Sequence, residues 1–86
     1  MNINQLISIV KNKIEKNISL EYVNIEDKTF LHKSHKTHQD GKFHLKLSIK
    51  SSESEKINKI KLTKKIYSIL DEELKKYIHS IQILIN

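Results

Sequence analysis

Lys42-Phe43-His44-Leu45-Lys46-Leu47-Ser48-Ile49-Lys50-Ser51 alternates without a break, Phe43, Leu45, Leu47 and Ile49 interleaving with Lys42, His44, Lys46, Ser48 and Lys50. Successive side chains of a strand point to opposite faces, so this stretch predicts a strand with one face in a core and the other wet and basic. A sheet that is apolar on one side needs a covering layer, and the flanking sequence supplies it.

Upstream, Asp40-Gly41 holds the only glycine of the chain and signals the turn into this strand. Residues 28–41 have neither a helical nor a strand period and are crowded with Lys, Thr, His and Asp, which predicts a long loop of the kind that carries function. Residues 20–27, with the β-formers Tyr22, Val23 and Ile25, predict a strand. Residues 2–17 place Ile3, Leu6, Ile7, Val10 and Ile14 at intervals of three and four, one stripe of an amphipathic helix suited to a small core rather than to a membrane surface.

Downstream, the polar break Ser52-Glu53-Ser54-Glu55 precedes a helical stretch over residues 56–76 with a stripe of Leu62, Ile66, Ile69, Leu70 and Leu74, Ile57 and Ile60 heading slightly elsewhere. Its Glu72 and Glu73 are expected to form surface pairs with Lys75 and Lys76 or the preceding turn. The last strand, Ile78 to Ile85, puts His79, Ile81, Ile83 and Ile85 on one face by strict alternation, so His79 is expected on the apolar, helix-facing side where core meets solvent. The order helix, strand, strand, helix, strand predicts a two-layer α+β fold, a three-stranded sheet with helices on one face.

At 86 residues the chain has room for one domain, residues 1–86, with one modest core. It has no apolar run long enough to span a membrane and no secretory-type N-terminus, so a soluble, cytoplasmic protein with no membrane partner is expected. The net charge of +6 comes from sixteen lysines and no arginine. Alanine is also missing while Ile, Asn and Lys abound, a pattern that codon drift in an AT-rich genome produces, so many of the lysines are expected to be solvated surface. There is no nucleophile signature and no phosphate-cradling glycine loop, and the carboxylates of Glu26-Asp27 and Asp71-Glu72-Glu73 have no convergent histidine. The chain is not expected to be an enzyme.

Chemistry concentrates in the histidines: His32, His35, His38 and His44 fall within thirteen positions, and His79 opens the last strand. With no cysteine present, any metal chemistry must use imidazole and carboxylate or borrow thiolates from a partner.

In order along the chain, Asp27-Lys28-Thr29 with His32, then Gly41 and His44-Leu45-Lys46-Leu47, then Ile66-Tyr67 and Asp71-Glu72-Glu73-Leu74, and finally Ile78-His79-Ser80-Ile81 resemble the BolA family. The resemblance implies an α-β-β-α-α-β fold, similar to a type II KH domain, with the second helical stretch divided in two. It implies a partner of monothiol glutaredoxins that shares a 2Fe-2S cluster in iron-sulfur trafficking or iron homeostasis, the other ligands being the glutaredoxin cysteine and glutathione. It assigns metal-ligand roles to His79 and to one loop histidine. His32 matches the loop position best, and a slide by three makes His35 or His38 the ligand instead. His44 matches a family histidine and is read as structural or surface. Imidazole in place of thiolate removes negative charge, raises the reduction potential and makes ligation sensitive to protonation.

The chain departs from the family at the main helix, where Arg-His-Arg is replaced by Leu62-Thr63-Lys64; Lys64 and Lys65 are the positions to test for partner docking. The histidine tract could also be read as a Zn or Ni site in its own right. The alternative function is a DNA-binding transcriptional regulator active in stress response, its wet face of Lys42, Lys46 and Lys50 tracking phosphates. Against it, the Gly-x-x-Gly loop of KH domains is absent. The sequence leaves a weak homodimer open as a form of self-association.

Overall fold

The computed structural model describes residues 2–29, 42–51 and 58–86. Helix α1 runs Ile3–Asn17 and starts at a capping box: the Gln5 N–H donates to Asn2 Oδ1 at 2.8 Å and the Asn2 N–H donates to Gln5 Oε1 at 3.1 Å. Two donors that a helix start leaves without partners are thereby satisfied. The stripe turns inward as its spacing predicts, with Leu6, Val10 and Ile14 fully buried and Ile3 and Ile7 half-buried. Ile18 leaves the helix in an extended conformation and stays in the core.

Strand β1, Tyr22–Asp27, pairs antiparallel with β2, Phe43–Lys50, from Tyr22 opposite Lys50 to Asp27 opposite Leu45. Strand β3, Ile78–Ile85, lies parallel to β2 on its other side, giving the order β1-β2-β3. A parallel neighbour requires a crossover, and two helices make it: α2, Lys59–Ile69, and α3, Asp71–Lys76. The α-β-β-α-α-β order and the α+β class are therefore as expected.

Asn58 caps α2 by accepting the Lys61 N–H at 2.9 Å. Leu62, Ile66 and Leu70 are fully buried, and Leu70 interrupts the helical path so that Asp71 opens a new short helix. Three carboxylates in its first turn and two lysines in its last complement its dipole. Ile60 turns outward and is 69% exposed, the different heading expected of it. The core joins Leu45, Leu47 and Ile49 of the sheet to the inward faces of α1 and α2.

The outer salt pattern corrects one expectation. Glu72 does pair with Lys76, at 3.0 Å, and Asp71 with Lys75, at 3.0 Å. Glu73, however, is buried and receives Lys13 Nζ from α1 on both carboxylate oxygens, at 2.9 and 2.6 Å. The break at Leu70 turns α3, and Glu73 then faces α1 instead of solvent. The predicted polar break at residues 52–55, the Asp40-Gly41 turn and Ile57 lie outside the described residues.

Candidate functional site around His79

Phe43 pairs with Ile78, and the next residue, His44, pairs with Ser80. Two residues of β3 thus oppose one step of β2, a bulge whose extra residue is His79. The expectation that His79 faces the helices is corrected by this bulge. Ile78 takes the core position, and Ile81 joins the same side after a reversal of parity. His79 is exposed, and its ring stacks on that of His44, with centroids 4.7 Å apart and an interplanar angle of 26°.

His44 belongs to the sheet face opposite Leu45, yet only 6% of it is exposed, so of the two readings, structural or surface, the structural one holds. Its Nδ1 is 2.6 Å from Ser80 Oγ on the neighbouring strand. Its backbone N–H donates to Thr29 Oγ1 at 3.1 Å, and its carbonyl accepts the Lys28 N–H at 2.7 Å. Thr29 is fixed in turn by Asp27, whose Oδ1 accepts both the Thr29 N–H, at 2.9 Å, and the Thr29 hydroxyl. Residues 27–29, which lead into the histidine-rich stretch, are thereby tied to the start of β2 and, through His44, to Ser80 and His79.

His32, His35 and His38 lie outside the described residues. Within them, no group of three or more His, Cys, Asp and Glu side chains converges as a metal site. A metal or cluster held by His79 therefore needs further ligands from elsewhere. Of the two lysines named for partner docking, Lys64 is exposed on the outer side of α2 beside Ile60 and Tyr67, and Lys65 is half-buried.

The basic face is less basic than its sequence suggests. Lys46 Nζ is 4.0 Å from Glu26, which Lys28 also approaches at 3.4 Å, and Lys50 Nζ is 3.7 Å from Glu21. These carboxylates come from β1 and the residue before it, which the antiparallel register sets beside β2. No helix among the described residues is long and apolar enough to cross a membrane.

Sequence reasoning missed His44, Ser80 and Thr29 as neighbours of the site. A signal for the first two was present: Ile78 and Ile81 are both apolar with two polar residues between them, and both can face one core only if an extra residue is inserted.

Comparison with known proteins agrees with this architecture. The family model for BolA-like protein matches residues 14–86. Over 73 residues the chain is 32% identical to the DNA-binding transcriptional regulator BolA of Haemophilus influenzae, covering 85% of this chain and 68% of that one. BolA1 from Arabidopsis thaliana superposes with a TM-score of 0.77 at 28% identity, over 92% of this chain and 87% of that one. The BolA domain of SufE1 from Arabidopsis thaliana shares the fold, with a TM-score of 0.77 at 23% identity, over all of this chain (100%) and 93% of that one. With the family model spanning most of its length and the histidine-bearing strand in its expected place, the chain belongs to the BolA family.

Proposed function

We propose that this protein partners a monothiol glutaredoxin and shares with it a 2Fe-2S cluster, His79 supplying one ligand and a histidine of residues 32–38 a second, with the glutaredoxin cysteine and glutathione completing the set. The observation that carries the reading is the exposed His79 ring, placed by a bulge near the start of the last strand and stacked on the buried His44 ring. The donor set fits such a group: with no cysteine, the chain itself offers imidazole and carboxylate, and the thiolates that iron-sulfur clusters favour would come from a partner. When bound, the cluster supplies one-electron redox chemistry and an iron-sulfur unit for trafficking. His79 offers a ring-nitrogen lone pair from a fixed strand, and the Asp27-Thr29-His44 bonds hold the root of the second ligand-bearing segment close to it. We assign this work to the cytosol, on the cysteine-free composition that suits a reducing compartment.

The test is to mix the protein anaerobically with cluster-loaded monothiol glutaredoxin and follow sizing, visible absorption and circular dichroism for wild type and His79→Ala. A complex with a new spectrum, altered in the variant, is expected. An unchanged glutaredoxin spectrum with no complex would refute the reading.

The second reading, a DNA-binding transcriptional regulator, draws on the name of the Haemophilus relative. The carboxylates beside Lys46 and Lys50 reduce the charge available for phosphates, and we rank it below the first for that reason.

A further inference from the structure

We propose that His44 is a positioning residue for His79: it sets the plane of the His79 ring and leaves the ring edge free to meet a ligand. The inference rests on the shared-cluster reading above and adds to it a residue that is not itself a ligand.

Four observations carry it. The bulge makes His79 the one residue of this stretch with no register partner on β2, so the ladder alone leaves its ring free to choose among rotamers. His44 supplies the missing constraint, because its own ring is buried, bonded through Nδ1 to Ser80 Oγ at 2.6 Å, and lies 4.7 Å from the His79 ring. The two rings are within 26° of parallel. Imidazole lone pairs lie in the ring plane, so a ring stacked face to face offers its neighbour a flat π surface and no lone pair. His44, buried and held at Nδ1 by Ser80, therefore serves in this proposal as a flat surface behind the ligand. Finally, the backbone of His44 is bonded on both sides to residues 28 and 29, which stops the brace from sliding along the strand.

Support of this kind from behind a metal ligand governs how well the ligand is presented. The variants that separate stacking from bulk are His44→Phe, which keeps a flat ring, His44→Ala, which removes it, and Ser80→Ala, which frees the bracing ring without touching either histidine. Each is mixed with cluster-loaded monothiol glutaredoxin and glutathione. The readouts are the imidazole-nitrogen coupling of the reduced cluster by pulsed electron paramagnetic resonance and the visible circular dichroism. Far-ultraviolet dichroism and sizing monitor fold and complex.

The expected result is that His44→Ala still docks but lowers the imidazole-ligated fraction about tenfold, the scale of such supporting contacts. His44→Phe retains most of that fraction, and Ser80→Ala falls between them with a broadened nitrogen coupling. Nitrogen coupling identical to wild type in folded His44→Ala overturns the inference and leaves the shared-cluster reading standing. If His44→Ala does not fold, Ser80→Ala decides, and a wild-type coupling there overturns the inference. Absence of nitrogen coupling in the wild type overturns both.

Discussion

Lys13 of α1 reaches Glu73 of α3 with both carboxylate oxygens in contact, at 2.9 and 2.6 Å, although 60 residues separate the two in the chain. Glu73 is buried, while Lys13 keeps about a third of its side chain in water. The pair ties the first helix to the short helix that delivers the chain into Ile78 and the bulge at His79.

Its pH signature has a definite sign. The hydrogen bond to Glu73, opposed by partial burial, raises the Lys13 ammonium above its ordinary value of 10.5. A group whose folded value is raised contributes stability that is fully present below the ordinary value and is lost as pH rises through the folded one. Chemical denaturation at pH 7 is expected to show Lys13→Gln and Glu73→Gln both less stable than wild type, with an unchanged denaturant slope. The gap between Lys13→Gln and wild type should narrow as pH is taken above 10.5. A gap that widens in alkali would contradict this assignment.

The two faces of α2 give a paired test of the core. Ile66 is fully buried and Ile60 is 69% exposed on the same helix. Ile66→Ala is expected to cost about 2–5 kcal/mol, and Ile60→Ala to stay within about 0.5 kcal/mol, by urea titration. Equal costs would mean that the helix is rotated from its described position.

Thr29→Val tests the link between the end of β1 and the start of β2. Valine keeps the shape but removes the hydroxyl that accepts the His44 N–H and donates to Asp27. Leaving a buried N–H without its acceptor costs about 1–3 kcal/mol, and amide exchange of His44 should accelerate accordingly. Exchange unchanged from wild type would remove Thr29 from the network.

Most of the fold was legible because periodicity alone specifies it: the alternation of β2 and the three-four spacing in α1 and α2 assign each apolar residue to a face. The site was less legible, and for a local reason. His79 was identified by resemblance, but strict alternation set it on the wrong face, because a one-residue bulge reverses every side chain before it relative to those after it. Alternation put His44 on the wet face with Lys46 and Lys50 and left open whether it is structural or surface, and its ring contacts with His79 and Ser80 show the structural role. Glu73 looked like a surface partner of nearby lysines because helix spacing cannot foresee a turn at Leu70 that aims it at Lys13.

The DNA-binding alternative makes its own measurable claim. With Lys46 and Lys50 beside Glu26 and Glu21, duplex DNA is expected to bind no tighter than the sequence-independent range of about 10⁻⁴ to 10⁻⁶ M at physiological salt. Fluorescence anisotropy across a salt series checks this. A nanomolar, sequence-selective complex would reverse the ranking of the two readings.

The central claim is that an imidazole of this chain, that of His79, ligates a cluster shared with a glutaredoxin. The most direct measurement uses protein labelled with ¹⁵N-histidine, mixed with unlabelled cluster-loaded monothiol glutaredoxin, and pulsed electron paramagnetic resonance of the reduced complex. The account predicts ¹⁵N coupling to the cluster that is lost or reduced in His79→Ala and retained in Lys64→Gln. A complex whose cluster shows no ¹⁵N coupling, or coupling that His79→Ala leaves intact, would contradict it.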